Sequence, residues 1–288
     1  MWLVFGAAGQ LGRCLQAVLV ERGIDHLACG REEVDITDPA SVVAAVQRAA
    51  PSVIVNAAAW TNVDAAEDSE TEAMAVNRDG ARNVAEAAAG AAARLVHVST
   101  DYVFTGAGPD PIAESEPANP VNAYGRTKWA GEEAVRAAHP GGALVVRTAW
   151  LYSEHGRNFA RTMAARAIVG EAVRVVDDQH GTPTSARDLA EHIVDLVEAG
   201  IRTGQYHGTN SGVATWCEFA REIYLLLGAD PGLVAPVSTS EHPTPAARPA
   251  WSVLGHEATV RAGVRPMRHW TEALADVLPR IVAGDGVD

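Results

Sequence analysis

The sequence predicts a doubly wound α/β fold, a parallel sheet with a smaller C-terminal substrate-binding lobe. Three observations predict it. Short apolar runs alternate with helical patterns through the first half of the chain. The first such run ends in a glycine-spaced turn that opens a helix. After Trp150 the alternation breaks up, and proline-rich stretches follow at 231–236 and 243–249. In order, Leu3–Phe5 reads as an apolar strand. Gln10–Arg22 reads as a helix carrying Leu11, Leu15, Val18 and Leu19 on its apolar stripe. A short strand follows near His26–Cys29, then a helix over Pro39–Ala49 and a strand over Val53–Asn56. Glu70–Ala89 reads as one long helix and Arg94–Ser99 as a buried strand. Tyr124–Ala138 is the next helix and Ala143–Arg147 the next apolar strand. Strands separated by helices pair in parallel through right-handed crossovers. Residues 1–150 are expected to form a dinucleotide-binding domain, to which the chain returns around 184–212. Residues 151–183 and 213–288 are expected to form a lobe over the C-terminal ends of the strands, where α/β ligands bind.

Composition narrows the function classes. The chain has 288 residues, 48% of them hydrophobic and 20% charged, the profile of an ordinary globular protein. A net charge of −13 argues against nucleic acid or an anionic membrane as the main partner. Cys14, Cys29 and Cys217 are odd in number and far apart. That spacing fits neither a disulfide framework nor a metal site, and no metal is expected. Asp177-Asp178 reads as a polar turn. The chain opens directly into a strand-like run, so a cytoplasmic location is expected. Monomer and homodimer both remain open.

The turn Gly6-Ala7-Ala8-Gly9-Gln10-Leu11-Gly12 has the spacing Gly-x-x-Gly-x-x-Gly. Glycine lets the backbone turn tightly and approach a pyrophosphate closely. The helix it opens offers free N–H groups and a positive dipole end. At the second strand's end stand Arg31 and then Glu32. Arg31 suits a 2′-phosphate while Glu32 opposes one, so NADPH is expected and NADH remains possible.

Lys128 is the only lysine among 23 lysines and arginines. It follows Tyr124 by four residues, about one helical turn, so the two side chains can share a face. A phenol has a pKa of ~10, and a neighbouring ammonium is expected to draw it down until it can pass a proton near neutrality.

Together the glycine turn and Tyr124-x-x-x-Lys128 resemble the extended short-chain dehydrogenase/reductase family, which carries a Rossmann fold. Further strings resemble, within it, the dTDP-4-dehydrorhamnose reductase family. They include Asp35-Ile36-Thr37, Asn56-Ala57-Ala58-Ala59-Trp60-Thr61, Val63-Asp64-x-x-Glu67 and Ser99-Thr100-Asp101-Tyr102. Arg147-Thr148-Ala149-Trp150, Asn158-Phe159, Asp178-Gln179-His180-Gly181-Thr182-Pro183-Thr184 and the segment 243–249 continue the match. The resemblance implies reduction of a nucleotide-linked 4-keto-deoxysugar by a nicotinamide cofactor. It implies that Gly9, Gln10 and Leu11 hold the pyrophosphate within a cofactor-binding turn completed by Gly6 and Gly12, and that Asp35 and Ile36 flank the adenine. Asn56, Ala57, Ala58, Ala59 and Thr61 would line the cofactor cleft. Thr100, Tyr124 and Lys128 would carry the chemistry, with Tyr124 and Lys128 also touching the cofactor. Thr100, Asp101 and Trp150 would meet the deoxysugar. Asn158 and Arg248 are candidates for the nucleotide diphosphate, or for a bridge between the lobes. Trp60 stands where a tyrosine or histidine is expected.

Overall fold

The computed structural model describes residues 1–106 and 108–284. Residues 285–288, the end of the stretch expected to belong to the C-terminal lobe, lie outside the described residues. Six parallel strands form the central sheet. They are β1 (Trp2–Phe5), β2 (His26–Cys29), β3 (Val53–Asn56), β4 (Arg94–Thr100), β5 (Ala143–Thr148) and, from later in the chain, a strand at Gly204–His207. The order is that late strand, then β5, β4, β3, β1 and β2. From β1 the chain winds to one edge, and from β3 to the other. The crevice at this switch point, beyond the C-terminal strand ends, is where such sheets bind ligands.

Helices cover both faces. On one lie α1 (Gln10–Glu21) and a later helix at Ala186–Glu198; on the other lie α2 (Pro39–Ala49) and the residues from Ala65 to Gly90. Strand alternation assigns the faces. Trp2 and Val4 pack with Leu15, Leu19 and Leu189, while Leu3 and Phe5 pack with Val42, Val46 and Val84. Asp38 caps α2 through its carboxylate, with Pro39 in the first turn.

The expected helix over 70–89 is present without a gap, but it is not α-helical throughout. Short helices α3 (Ala65–Asp68) and α4 (Glu70–Met74) lead into a π-helical turn, Ala75–Gly80, before α5 (Ala81–Gly90) resumes. The turn carries Asn77, whose side-chain oxygen accepts from Trp60 N at 2.9 Å. Its amide donates to the Trp60 carbonyl at 3.1 Å and to Thr127 Oγ1 at 2.9 Å. Periodicity does not register a tertiary clamp of this kind, which holds the helix in the wider turn.

Next comes α6 (Ala123–Ala138), capped by Asn122 through Gly125 N at 2.8 Å. After β5 the elements shorten. They run β6 (Leu151–Tyr152), α7 (Phe159–Ile168), β7 (Val173–Val176), β8 (His180–Gly181), β9 (Thr184–Ser185), α8 (Ala186–Glu198) and β10 (Gly204–His207). The chain ends through β11 (Ala214–Thr215), α9 (Trp216–Leu226), β12 (Val234–Val237), α10 (Glu257–Arg261) and α11 (Trp270–Ala283). A separate core joins α7, α9 and α11 through Met163, Phe219, Ile223, Trp270, Leu274 and Leu278. No described helix is long and apolar enough to cross a membrane. All three cysteines are buried and free.

Four histidines are folded away as neutral rings. Burial holds His192 down to about 4 and His207 down to about 3. Burial, aided by Lys128, puts His97 well below its ordinary 6.5, and burial also lowers His256. Each contributes stability that is complete above pH ~6.5 and lost as pH falls toward the folded-state value. The slope for a fully buried ring is on the order of 1.4 kcal/mol per pH unit. Burial raises Asp101 and Glu114, which act in the opposite direction over part of that range. Four groups against two predict a net loss. Denaturant midpoints measured at pH 7.5 and 5 should therefore fall sharply, and an unchanged midpoint would contradict this.

Candidate active site

A cleft of about 700 Å³ opens at the switch point, floored by the first turn of α1 and by the residues after β3 and β4. Its glycines have steric reasons. Gly6 sits at φ +82°, and a Cβ there would lie 2.6 Å from Ala58 N. A Cβ on Gly12 would lie 2.2 Å from Gly6 O. Gly9 is different: its added Cβ would meet nothing closer than 3.4 Å within the chain. Gly9 is also the N-cap of α1, which has no side-chain cap and no acidic residue in its first turn. The N–H groups of that turn are left to an anion.

Of the residues expected to hold a cofactor, Gly6, Gly9, Gln10, Leu11, Gly12, Arg31, Asp35, Ile36, Ala57, Ala58, Ala59 and Thr61 line the cleft. Asp35 turns its carboxylate onto Thr37, accepting from the backbone at 2.9 Å and the hydroxyl at 2.8 Å, and these bonds lower its pKa. Asn56 lies behind the lining. Its oxygen accepts from Ala58 N at 3.2 Å, and its amide lies 3.3 Å from His97 Nδ1. It braces the Ala57–Ala59 backbone from below.

Thr100, Asp101, Tyr124, Lys128 and Trp150 all line the same cleft, brought from the ends of β4 and β5 and the first turns of α6. The Thr100 hydroxyl donates to Asp101 Oδ1 at 3.0 Å and accepts from Tyr102 N at 3.2 Å. Asp101 is 2% exposed, and burial pushes its carboxyl up to about 6, with the hydrogen bond from Thr100 opposing this. Lys128 is also 2% exposed, and its ammonium donates to the Val98 carbonyl at 2.7 Å. Burial brings it down to about 8, partly offset by Glu132 one turn on.

The expected depression of Tyr124 by Lys128 is not what the chain's own groups produce. Burial pushes the phenol well above its ordinary 10, the Thr100 hydroxyl opposes this, and Asp101 adds to it. The four-residue spacing puts both residues on one helix face, but Lys128 reaches past toward β4. Tyr124 is thereby held as a neutral phenol, the protonation state of a proton donor.

Asn158 and Arg248 do not line the cleft; both make contacts between parts of the chain. Asn158 donates to Gln10 Oε1 at 3.0 Å and to the Ser153 carbonyl at 2.8 Å. Arg248 pairs with Asp64 at 2.9 Å and lies over the Tyr102 ring. Ser99, Thr148, Gly156 and Arg157 line the cleft without having been singled out from the sequence. The hydroxyls of Ser99 and Thr148 are buried there with no hydrogen-bond partner. Both lie at strand ends within the family-like stretches 99–102 and 147–150, but a hydroxyl's direction is not legible from its neighbours. Among the described residues Cys14, Glu154 and His155 bring ligand atoms within 4.8 Å of one another. Arg280 already pairs with Glu154 at 3.1 Å, and burial pushes the Cys14 thiol up to about 12, so neither welcomes a cation. Asp177 accepts from Thr215 and Asp178 from Thr239.

The family model for the RmlD substrate binding domain matches residues 1–282. The chain belongs to the RmlD family. It is 50% identical, over 99% of its length and 98% of the relative's, to a protein of Streptomyces niveus named dTDP-4-keto-6-deoxy-D-glucose reductase. It is 45% identical, over 99% of its length and 95% of the relative's, to the dTDP-4-dehydrorhamnose reductase of Streptomyces griseus. Among solved structures, the Bacillus anthracis dTDP-4-dehydrorhamnose reductase in complex with NADP superposes with a TM-score of 0.93 at 38% identity. That superposition covers 96% of this chain and 98% of the other. The extended short-chain dehydrogenase/reductase architecture expected from the sequence is thus the one this RmlD-family chain adopts.

The glycine geometry predicts a graded mutational series. Gly12→Ala should cost more than ~1 kcal/mol of stability, because the obstructing atom is backbone. Gly9→Ala should leave the melting temperature nearly unchanged yet weaken NADPH binding. Thermal melts and NADPH titrations of the two variants check this; equal stability losses would refute the assignment.

Proposed function

We propose that this chain is an NADPH-dependent reductase of dTDP-4-dehydro-β-L-rhamnose, forming dTDP-β-L-rhamnose by reduction of the 4-keto group. The observation that carries the reading is the meeting of Thr100, Tyr124 and Lys128 around the cleft that the glycine turn opens. The Streptomyces griseus relative bears the corresponding name, and the Bacillus anthracis structure holds NADP. Arg31 lines the cleft, where its guanidinium would pair with a 2′-phosphate, and this supports NADPH over NADH. In this reading residues 1–150 and 184–212 hold the dinucleotide, and 151–183 with 213–288 hold the sugar nucleotide. Asn158 and Arg248 tie the two together.

The bound cofactor supplies the hydride. Gly6, Gly9, Gln10, Leu11 and Gly12 would seat its pyrophosphate, with Asp35 and Ile36 beside the adenine. Ala57, Ala58, Ala59 and Thr61 would line the cofactor cleft, with Asn56 bracing them from behind. Tyr124, kept neutral by burial, gives its proton to the ketone oxygen as carbon 4 is reduced. Thr100 donates to the same oxygen or to the phenolate left behind, its single proton redirected from Asp101. Lys128 places a compact positive charge beneath the site. Asp101 and Trp150 contact the sugar, Trp150 presenting the apolar part of its indole that lines the cleft.

A second reading has its own support. The Streptomyces niveus relative is named for a D-configured 4-keto sugar, and the same trio would serve that substrate. The two are separated by supplying dTDP-4-dehydro-6-deoxyglucose and following loss of NADPH absorbance with and without the 3,5-epimerase. Loss only with the epimerase is the expected result. Loss without it would move the assignment to the D-configured sugar, and loss in neither case would defeat both.

Tyr124→Phe should reduce kcat by at least ~100-fold, the lower range for losing a general acid. NADPH affinity should change little, because the phenol hydroxyl is one contact among many. A kcat within a few-fold of the parent would remove Tyr124 from the chemistry.

A further inference from the structure

One backbone conformation at the cleft has no local cause. Trp150 sits at φ +46°, a left-handed conformation that a bulky side chain rarely adopts. Strain of this kind persists only where surrounding contacts over-determine it. Two such contacts are present. The indole of Trp216 stacks on that of Trp150, ring centroids 3.6 Å apart and planes within 9°. On the strand β8, a Cβ at Gly181 would lie 2.5 Å from Trp150 Cε2 and 2.8 Å from its Nε1, so only glycine admits the ring.

The stacking partner is itself firmly held. Trp216 is the first residue of α9, and Thr215 before it forms a capping box with Glu218 at 3.0 and 2.8 Å. Thr215 also donates to Asp177 and pairs with His180 across β8 and β11. Trp216 also meets Phe159, centroids 4.7 Å apart with the planes tilted by 56°. The Trp150 backbone is fixed from the opposite end, its carbonyl accepting from Thr184 N at 3.1 Å.

We propose that Trp216 and Gly181 are positioning residues for substrate specificity, which clamp the Trp150 indole between them as a rigid apolar wall of the cleft against which the deoxysugar packs. This rests on the functional reading above, in which Trp150 meets the sugar. Neither residue touches the reacting atoms. Their effect should therefore fall on recognition of the keto sugar and leave hydride and proton transfer alone. A pre-set ring loses no rotamer freedom when the sugar arrives, whereas a loose one must be ordered at that moment.

The test combines kinetics with a spectroscopic signature that needs no substrate. Two indoles stacked this closely couple their transitions and should give a paired positive and negative band in the ultraviolet circular dichroism. Trp216→Leu keeps apolar volume and should abolish the pair. It should raise KM for the keto sugar on the order of 10-fold, the upper range for an aromatic pair, with kcat and KM for NADPH nearly unchanged. Trp216→Phe should restore much of the KM, and Gly181→Ala should raise it. A lost couplet with unchanged sugar KM would overturn the proposal, as would absence of the couplet in the parent protein. If the parent reduces no keto sugar, the functional reading fails instead, and the couplet still reports whether Trp216 holds Trp150.

Discussion

The site depends on how closely α6 lies against its neighbours. A Cβ at Gly125 would fall 2.1 Å from the Tyr102 carbonyl oxygen, and one at Gly131 would fall 2.1 Å from that of Asn77. Only glycine at both positions lets the helix approach this far. That approach brings Lys128 within 2.7 Å of the Val98 carbonyl on β4 and puts Tyr124 in the cleft lining with Thr100. The helix's first turn is then tied down from outside. Glu67 accepts from Ala123 N at 2.8 Å, Arg126 grips Glu70 with two bonds, and Asn122 reaches the Ala247 carbonyl at 2.8 Å. A shift of α6 by even an ångström would separate Tyr124, the proposed proton donor, from the strand end where a ketone would sit.

Burial follows from the same packing, and it sets the charge state of the cleft. Deprived of water, the Tyr124 phenol stays protonated, Asp101 is a weaker acid than usual, and Lys128 gives up its proton more readily. Lys128 is charged in neutral solution but close to its limit. The nearest compensation is Glu132, whose carboxylate is fully buried and held by both Arg147 and Arg136. The row Tyr124, Lys128, Glu132, Arg136 runs along one helix face at four-residue intervals.

Local patterns made much of this legible in the sequence. Apolar runs spaced by helices specified the parallel sheet, and the glycine turn and Tyr124–Lys128 pair marked its functional edge. Features joining distant segments were not legible. Asn77 reads as one more helix residue until Trp60 and Thr127 are seen to share it. β6, β8, β9 and β11 are two residues long and leave no periodicity. Asn158 and Arg248 were open between ligand and bridge because polar side chains do not announce their partners. The Lys128 ammonium shows the same limit: spacing placed its Cα on the face of Tyr124, while the carbonyl that holds its Nζ came from another strand.

The central claim is that a buried ammonium, held against β4, supports proton transfer by Tyr124. It is tested most directly by the pH profile of kcat/KM for the keto sugar, which reports the ionisations of the free enzyme. With Lys128 brought down to about 8 and active only when charged, the profile should fall as pH rises through that value. A profile level up to pH 10 would contradict the claim, because by then the amine would have lost its charge without consequence.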